Sequence, residues 1–235
     1  MKKTLLIISI IASLQTVWAD VNTAKNNLAK TYPNTQFQSV TETPIAGIYQ
    51  VVMGKNIAYT DETGKYFIFG HMFDMANQKD LTATVKEELN SIDFSTLPLQ
   101  QAIKIVRGKG GSKNGREFAL FTDPDCPYCQ RLEETLAGMT DYTVYVFLFP
   151  IASLHPQAAV KAESIWCSKD KATAWHGLML SGKKPETKTC KNPVEANIRL
   201  ASQLGISGTP TMIHKSGKKL SGAVPRATLE NWLGE

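Results

Sequence analysis

The sequence predicts a two-domain chain of mixed class, an α+β part followed by an α/β part, and three observations predict it. Residues 36–71 hold four short strand-like runs divided by turn signals. Residues 117–233 read strand, helix, strand, helices, hairpin, helix, which is an α/β order. A stretch with helical spacing at 80–92 lies between them. The 235 residues allow one or two domains at about 150 residues each. A composition of 43% hydrophobic and 20% charged residues excludes a disordered, collagen-like or polytopic membrane chain.

The elements follow in chain order. Residues 1–19 read as a secretory signal peptide. Lys2 and Lys3 form its positive end, Leu5–Leu14 its apolar stretch, and Val17 and Ala19 precede the cut. The apolar run is too short for a spanning helix, which needs about 20 residues. Cleavage leaves 235 − 19 = 216 residues with net charge +3, from +5 less the two lysines. An exported, soluble protein follows, in a compartment that permits disulfides. The mild charge gives no ground for a nucleic-acid partner.

Residues 20–79 form the small β-rich first domain: a helix at Asn22–Tyr32, then strands at Gln36–Val40, Gly47–Met53, Asn56–Thr60 and Lys65–His71, with a hairpin turn at Asp61–Gly64. So thin a core invites pairing through strand edges, hence a dimerisation domain. Residues 80–107 form a helical linker. Asp80 or Thr82 caps its helix, Leu81, Val85 and Leu89 share a face, and Leu99–Val106 forms a short helix or extended piece. Residues 108–235 form the second domain. It opens on Gly108–Gly115, a glycine-rich surface loop that lacks the pattern of a phosphate-binding loop. Then come a strand at Glu117–Thr122, a helix at Pro127–Gly138, a strand at Tyr142–Pro150, helices at Pro156–Cys167, Lys171–Leu180 and Pro193–Leu204, a hairpin of Thr211–His214 with Lys218–Gly222, and a helix at Pro225–Leu233.

Cys126-Pro127-Tyr128-Cys129 sits where a strand passes into a helix. Unpaired N–H groups at a helix start favour negative charge, so the Cys126 thiol should ionise more readily than a free cysteine. Pro127 suits the first turn, where its missing N–H has no partner to lose. Cys129 falls one turn further in and more buried. Cys126 then attacks a disulfide, and Cys129 resolves the mixed disulfide. Half of a zinc site and a purely structural bridge are the competing readings of C-x-x-C; no metal or other cofactor is expected. Cys167 and Cys190, 23 positions apart and outside any reactive motif, read as a structural disulfide worth roughly 3.5 kcal/mol in the chain-entropy model, with a second redox relay as the alternative. Gly205-Ile-Ser-Gly208-Thr209-Pro210 enters a strand, an odd place for proline unless Thr209–Pro210 is cis and the Thr209 backbone stays free for a substrate peptide.

These residues resemble the thioredoxin superfamily. Within it they are similar to the periplasmic thiol:disulfide interchange proteins of the DsbC/DsbG family, with DsbC the nearer branch. The likeness covers nearly the whole mature chain: Ile45–Tyr49, Asp61–Gly64, Gly70–Asp74, Phe121–Cys129, the Cys167/Cys190 pair and Gly208–Pro210. It implies a thioredoxin-like second domain with a helical insertion, a V-shaped homodimer, and a cis Pro210 beside the dithiol. It also implies a DsbD-type membrane electron donor and misoxidised exported proteins as substrates. Pro127-Tyr128 stands where DsbC relatives commonly carry Gly-Tyr and is like DsbG. The expected function is therefore a periplasmic disulfide isomerase and reductase. The alternatives are a DsbG-like reductase protecting single cysteines and a thiol-independent chaperone.

Overall fold

The structure, a computed structural model, describes residues 20–111 and 115–234, so the stretch expected to be a signal peptide, 1–19, lies outside the described residues. The chain divides between Lys86 and Glu87 into two units.

In the first unit, Asp20 caps α1 (Val21–Thr31) by accepting from the Asn22 amide at 3.0 Å. α1 presents Ala24 and Leu28 to a sheet of β1 (Ser39–Glu42), β2 (Ile48–Met53), β3 (Asn56–Asp61) and β4 (Phe67–Ile68), antiparallel in sequence order. Val40, Tyr49, Val51 and Ala58 complete this core. The turn between β3 and β4 needs glycine at position 64: φ is +69°, and a Cβ there would stand 2.9 Å from Leu28 Cδ2.

Three expectations for this unit need correction. β1 begins at Ser39 and not at Gln36, because Phe37 packs against Tyr32 instead of joining the ladder. The strand expected over Lys65–His71 shrinks to Phe67–Ile68. Past Gly70 the chain forms a separate ribbon, β5 (Phe73–Asp74) with β6 (Lys79–Asp80), whose turn the Asp74 carboxylate closes on the Asn77 amide at 3.1 Å. α2 (Leu81–Leu89) is capped by Asp80, which accepts from Ala83 at 2.9 Å. Its buried residue is Thr82, which accepts from the Met72 amide at 2.8 Å and pairs with the Tyr59 hydroxyl, whereas Leu89 is exposed.

The second unit begins with single 3-10 turns at Phe94–Thr96 and Leu99–Gln101. Its sheet comprises β7 (Ile103–Arg107), β8 (Glu117–Thr122), β9 (Tyr142–Leu148), β10 (Thr211–His214) and β11 (Lys219–Ser221) in the order β11-β10-β8-β9-β7, with β8 and β9 parallel and every other pair antiparallel. The helices are α3 (Pro127–Ala137), α4 (Ala158–Trp166), α5 (Lys171–Ser181), α6 (Val194–Gln203) and α7 (Arg226–Leu233). Of the 80–107 segment, expected as a helical linker with a short helix or extended piece at Leu99–Val106, the end belongs to the second unit's sheet and not to a linker. That end is β7, an edge strand that buries Ile103 and Ile105 while Lys104 and Val106 face outward. Of the glycine-rich stretch, residues 112–114 lie outside the described residues. Its flanks are tied down, the Lys109 amide to Asp141 at 2.8 Å and the Gly111 amide to Thr143 at 3.1 Å.

Period-2 alternation splits this core. Phe118, Leu120, Val144, Val146 and Met212 face α3, α5 and α7 through Leu132, Trp175 and Leu229. Ala119, Phe121, Phe147 and Ile213 face Ala201 on α6 together with Phe94, Leu97 and Ile206. Phe121 and Phe147 stack at 4.8 Å between centroids. Both central strands are buried along their whole length. Cys167, at the end of α4, is disulfide-bonded to Cys190, and the closed loop contains α5.

α3 is also anchored by charge. Glu133, buried, accepts from Trp175 Nε1 on α5 at 2.9 Å, and its other oxygen stands 4.0 Å from His176 Nε2. Arg107 at the end of β7 donates to His176 Nε2 at 3.4 Å. Burial pushes the Glu133 carboxyl up to about 7, against the pull of Trp175 and Arg107. Burial, and then Arg107, lowers His176. Tyr142 on β9 is pushed up to about 12, first by burial and next by Glu133. Between about pH 4.5 and 7 the folded chain therefore holds a proton on Glu133 that the unfolded chain has released, and stability falls as pH rises through that window. A Glu133→Gln variant keeps an acceptor for Trp175 but loses this titration. Its stability relative to the parent should rise by roughly 2–3 kcal/mol from pH 5 to pH 8, read by urea unfolding. His176 titrates in both proteins and largely cancels. A difference that stays flat with pH would contradict this account.

Candidate dithiol site

The register of the sheet brings three segments to one end of the second unit. β8 ends at Thr122, opposite Leu148 of β9, and Phe121 lies opposite Thr211 of β10. The chain leaving β8, the chain leaving β9 and the chain entering β10 therefore converge. They carry the C-x-x-C, residues 149–157, and Thr209–Pro210.

Cys126 is the N-cap of α3, with extended backbone (φ −76°, ψ 120°), and Pro127 takes the first helical position. Its Sγ lies 3.5 Å from the Thr209 carbonyl oxygen, as donor to it. The Thr209–Pro210 bond is cis. That loop covers the sulfur, so Cys126 is 5% exposed, while Tyr128 of the intervening pair is 58% exposed with Arg131 over its ring at 5.5 Å. Beyond Thr209 and Pro210 a cavity of about 270 Å³ is lined by Ser207, Thr211, Lys219 and Ser221.

Cys129, 1% exposed, is a free thiol like Cys126. Burial pushes it up to about 12. The Asp123 amide, donating to its Sγ at 3.5 Å, and the Thr122 hydroxyl pull the other way, and the neighbouring Cys126 adds to the rise. The two thiols are thus unequal in setting: one caps a helix against the Thr209 carbonyl, the other lies one turn further into that helix. Since Cys167 and Cys190 bond to each other, the four cysteines do not build a Cys₄ site.

The sequence reading missed Asp123 and His155. Asp123 is wholly buried. Its carboxylate accepts from the Asp125 amide at 2.8 Å, from the Ile151 amide at 2.7 Å and from His155 Nδ1 at 3.0 Å. Its carbonyl accepts from the Cys126 amide at 3.2 Å. Asp125 in turn pairs with Lys161 on α4. A signal existed: an aspartate three residues before a cysteine at a helix start is placed to close an Asx turn. Its partner, 32 positions away, had no local mark.

The fold and site define a thioredoxin-like dithiol protein. Residues 15–83 match the family described as the disulfide bond isomerase protein N-terminal domain, and residues 99–235 match the thioredoxin-like domain. The probable thiol:disulfide interchange protein DsbC of Bordetella parapertussis is 39% identical over 206 residues, 88% of this chain and 71% of the relative. The thiol:disulfide interchange protein DsbC of Escherichia coli is 27% identical over 238 residues, spanning all of this chain and 97% of that one. The crystal structure of a disulfide interchange protein from Neisseria gonorrhoeae, 46% identical, overlays 58% of this chain and 96% of its own with a TM-score of 0.54. The chain belongs to the DsbC family of thiol:disulfide interchange proteins, and it is a thiol:disulfide oxidoreductase of the thioredoxin fold.

The inequality of the thiols has a direct reagent test. With Cys129 near 12, its thiolate fraction at pH 8 is about 1,000-fold below that of a free cysteine. Iodoacetamide on the reduced protein at pH 8 should label Cys126 and leave Cys129 bare, by peptide mass mapping. Equal labelling of both would contradict the burial argument.

Proposed function

We propose that this chain is a periplasmic protein disulfide isomerase that acts on misoxidised exported proteins through Cys126. The observation that carries this reading is the placement of Cys126 Sγ at the start of α3, 3.5 Å from Thr209 O, above a sealed and weakly ionised Cys129. The Cys126 thiolate attacks one sulfur of a substrate disulfide. That S–S bond breaks, a substrate thiolate leaves, and a mixed disulfide forms. A substrate thiolate then attacks back and frees Cys126, with no net change in electrons. If the substrate stalls, Cys129 attacks Cys126 Sγ and releases it reduced. The resulting Cys126–Cys129 disulfide needs two electrons, which a DsbD-type membrane donor supplies. A high Cys129 pKa slows this escape and gives reshuffling time to occur. Thr209 and Pro210 flank the extended substrate backbone, and Cys167–Cys190 stays closed as a structural bridge.

A homodimer through the first unit fits the same reading. β4 is the edge strand of its sheet, and Tyr66, Ile68, Phe69, Phe73 and Met75 around it are all exposed. An apolar edge of this kind is a template for a second copy. Among the described residues no helix is long and apolar enough to cross a membrane. With signal cleavage after Ala19, residues 20–79 would serve as the dimerising part, α2 as the link, and the chain beyond it, with β7 in its sheet, as the catalytic part. A second reading, a reductase that rescues single oxidised cysteines, is favoured by Pro127-Tyr128.

The test is unscrambling of a multi-disulfide protein, with light scattering on the same sample. The parent should be a dimer and restore the native pairing. Cys126→Ser should lose this by at least about 100-fold while remaining a dimer. A Cys126→Ser rate equal to the parent's would overturn the isomerase reading. Partners trapped on Cys129→Ser separate the two readings: multi-disulfide proteins support isomerisation, and single-cysteine proteins support the reductase.

A further inference from the structure

Asp123 is shut off from solvent, yet its peptide groups address both cysteines. Its N–H donates to Cys129 Sγ at 3.5 Å, and its carbonyl accepts from the Cys126 amide at 3.2 Å. A carboxylate without exposure is costly unless it is fully hydrogen-bonded. Here three donors reach it, and they come from both sides of the site. The Asp125 amide at 2.8 Å lies within the C-x-x-C loop, while the Ile151 amide at 2.7 Å and His155 Nδ1 at 3.0 Å belong to the chain leaving β9. The Asp125–Lys161 pair adds a tie to α4. Donation by two amides leaves both carboxylate oxygens acting as acceptors, so His155 offers Nδ1–H.

We propose that Asp123 is a positioning residue for the resolving thiol: its carboxylate clamps the peptide unit whose N–H addresses Cys129 Sγ, and His155 completes the clamp from the opposite loop. This rests on the reading of Cys126 as nucleophile and Cys129 as resolver. An N–H aimed at sulfur stabilises the thiolate, and the Asp123 amide is the largest of the contacts that offset the burial of Cys129. Without the clamp the loop slackens and Cys129 loses that donor, so the resolving step slows. The first attack is much less affected, since Cys126 Sγ meets the Thr209 carbonyl and not the Asp123 amide.

The two steps separate with 5,5′-dithiobis(2-nitrobenzoate) on the reduced full chain. Cys126 attacks the reagent's S–S bond and releases one thionitrobenzoate, leaving a mixed disulfide. Cys129 then attacks Cys126 Sγ and releases the second, so two thiols are oxidised to one disulfide as one reagent molecule is reduced. In Asp123→Ala the second release should slow about tenfold, the scale of one hydrogen bond, with the first release within about threefold of the parent. His155→Ala should slow the second release about threefold. Asp123→Asn, which keeps one acceptor oxygen, should fall between parent and Asp123→Ala. If Asp123→Ala does not fold, the other two variants decide. An unchanged or faster second release overturns the proposal, and so does equal slowing of both releases, which a merely loosened fold would give. Absence of the first release in the parent would overturn the reading of Cys126 itself, a distinct failure.

Discussion

The pairing of β8 between β9 and β10 is the constraint on which the rest of the second unit depends. Each residue of Glu117–Thr122 is buried, and the strand is hydrogen-bonded on both sides. A strand so enclosed has no freedom of register, because a one-residue slip would turn Phe118 and Leu120 to the face now filled by Ala119 and Phe121. That rigidity sets Thr122 against Leu148 and Phe121 against Thr211. Three otherwise independent loops therefore meet at one end of the sheet, and the helix that starts there starts on Cys126.

Burial then divides the chemistry between two identical side chains. The helix start leaves Cys126 against a carbonyl of the Thr209–Pro210 loop. One turn later the same helix carries Cys129 into the apolar layer with Leu132 and Leu136. The layer that makes the domain stable is what raises the Cys129 thiol. α3 cannot swing to relieve this, because Glu133 on the same helix is held by Trp175 and lies in the field of Arg107. The domain's stability and the raised Cys129 thiol share one origin.

How much of this could be read from residues alone follows the range of the interactions. β8, α3 and β10 were legible because period 2 and period 3.6 are written locally, and Pro127 marks the helix start. The C-x-x-C and Thr209–Pro210 were legible as motifs, although only the register shows that they touch. The strand at 65–71 shortens because Tyr66–Phe69 is one unbroken apolar run that marks no end, while only Phe67 and Ile68 pair with β3 before the chain turns to build the β5–β6 ribbon. β7 reads from residues alone as part of a linker, because Ile103 and Ile105 need β9, nearly 40 residues later, to become a sheet edge. Asp123, Glu133 and His155 looked like ordinary surface residues. Their partners at 151, 175 and 123 lie far along the chain, and a buried charge has no signature until those partners are in place.

The central claim is that the two thiols are not interchangeable toward a protein substrate. It is tested most directly by acid-quenching the reduced full chain during reaction with a scrambled multi-disulfide protein and mapping the mixed disulfide by mass spectrometry. The account predicts substrate bonded to Cys126 and none to Cys129. Adducts on Cys129 at comparable yield would contradict it.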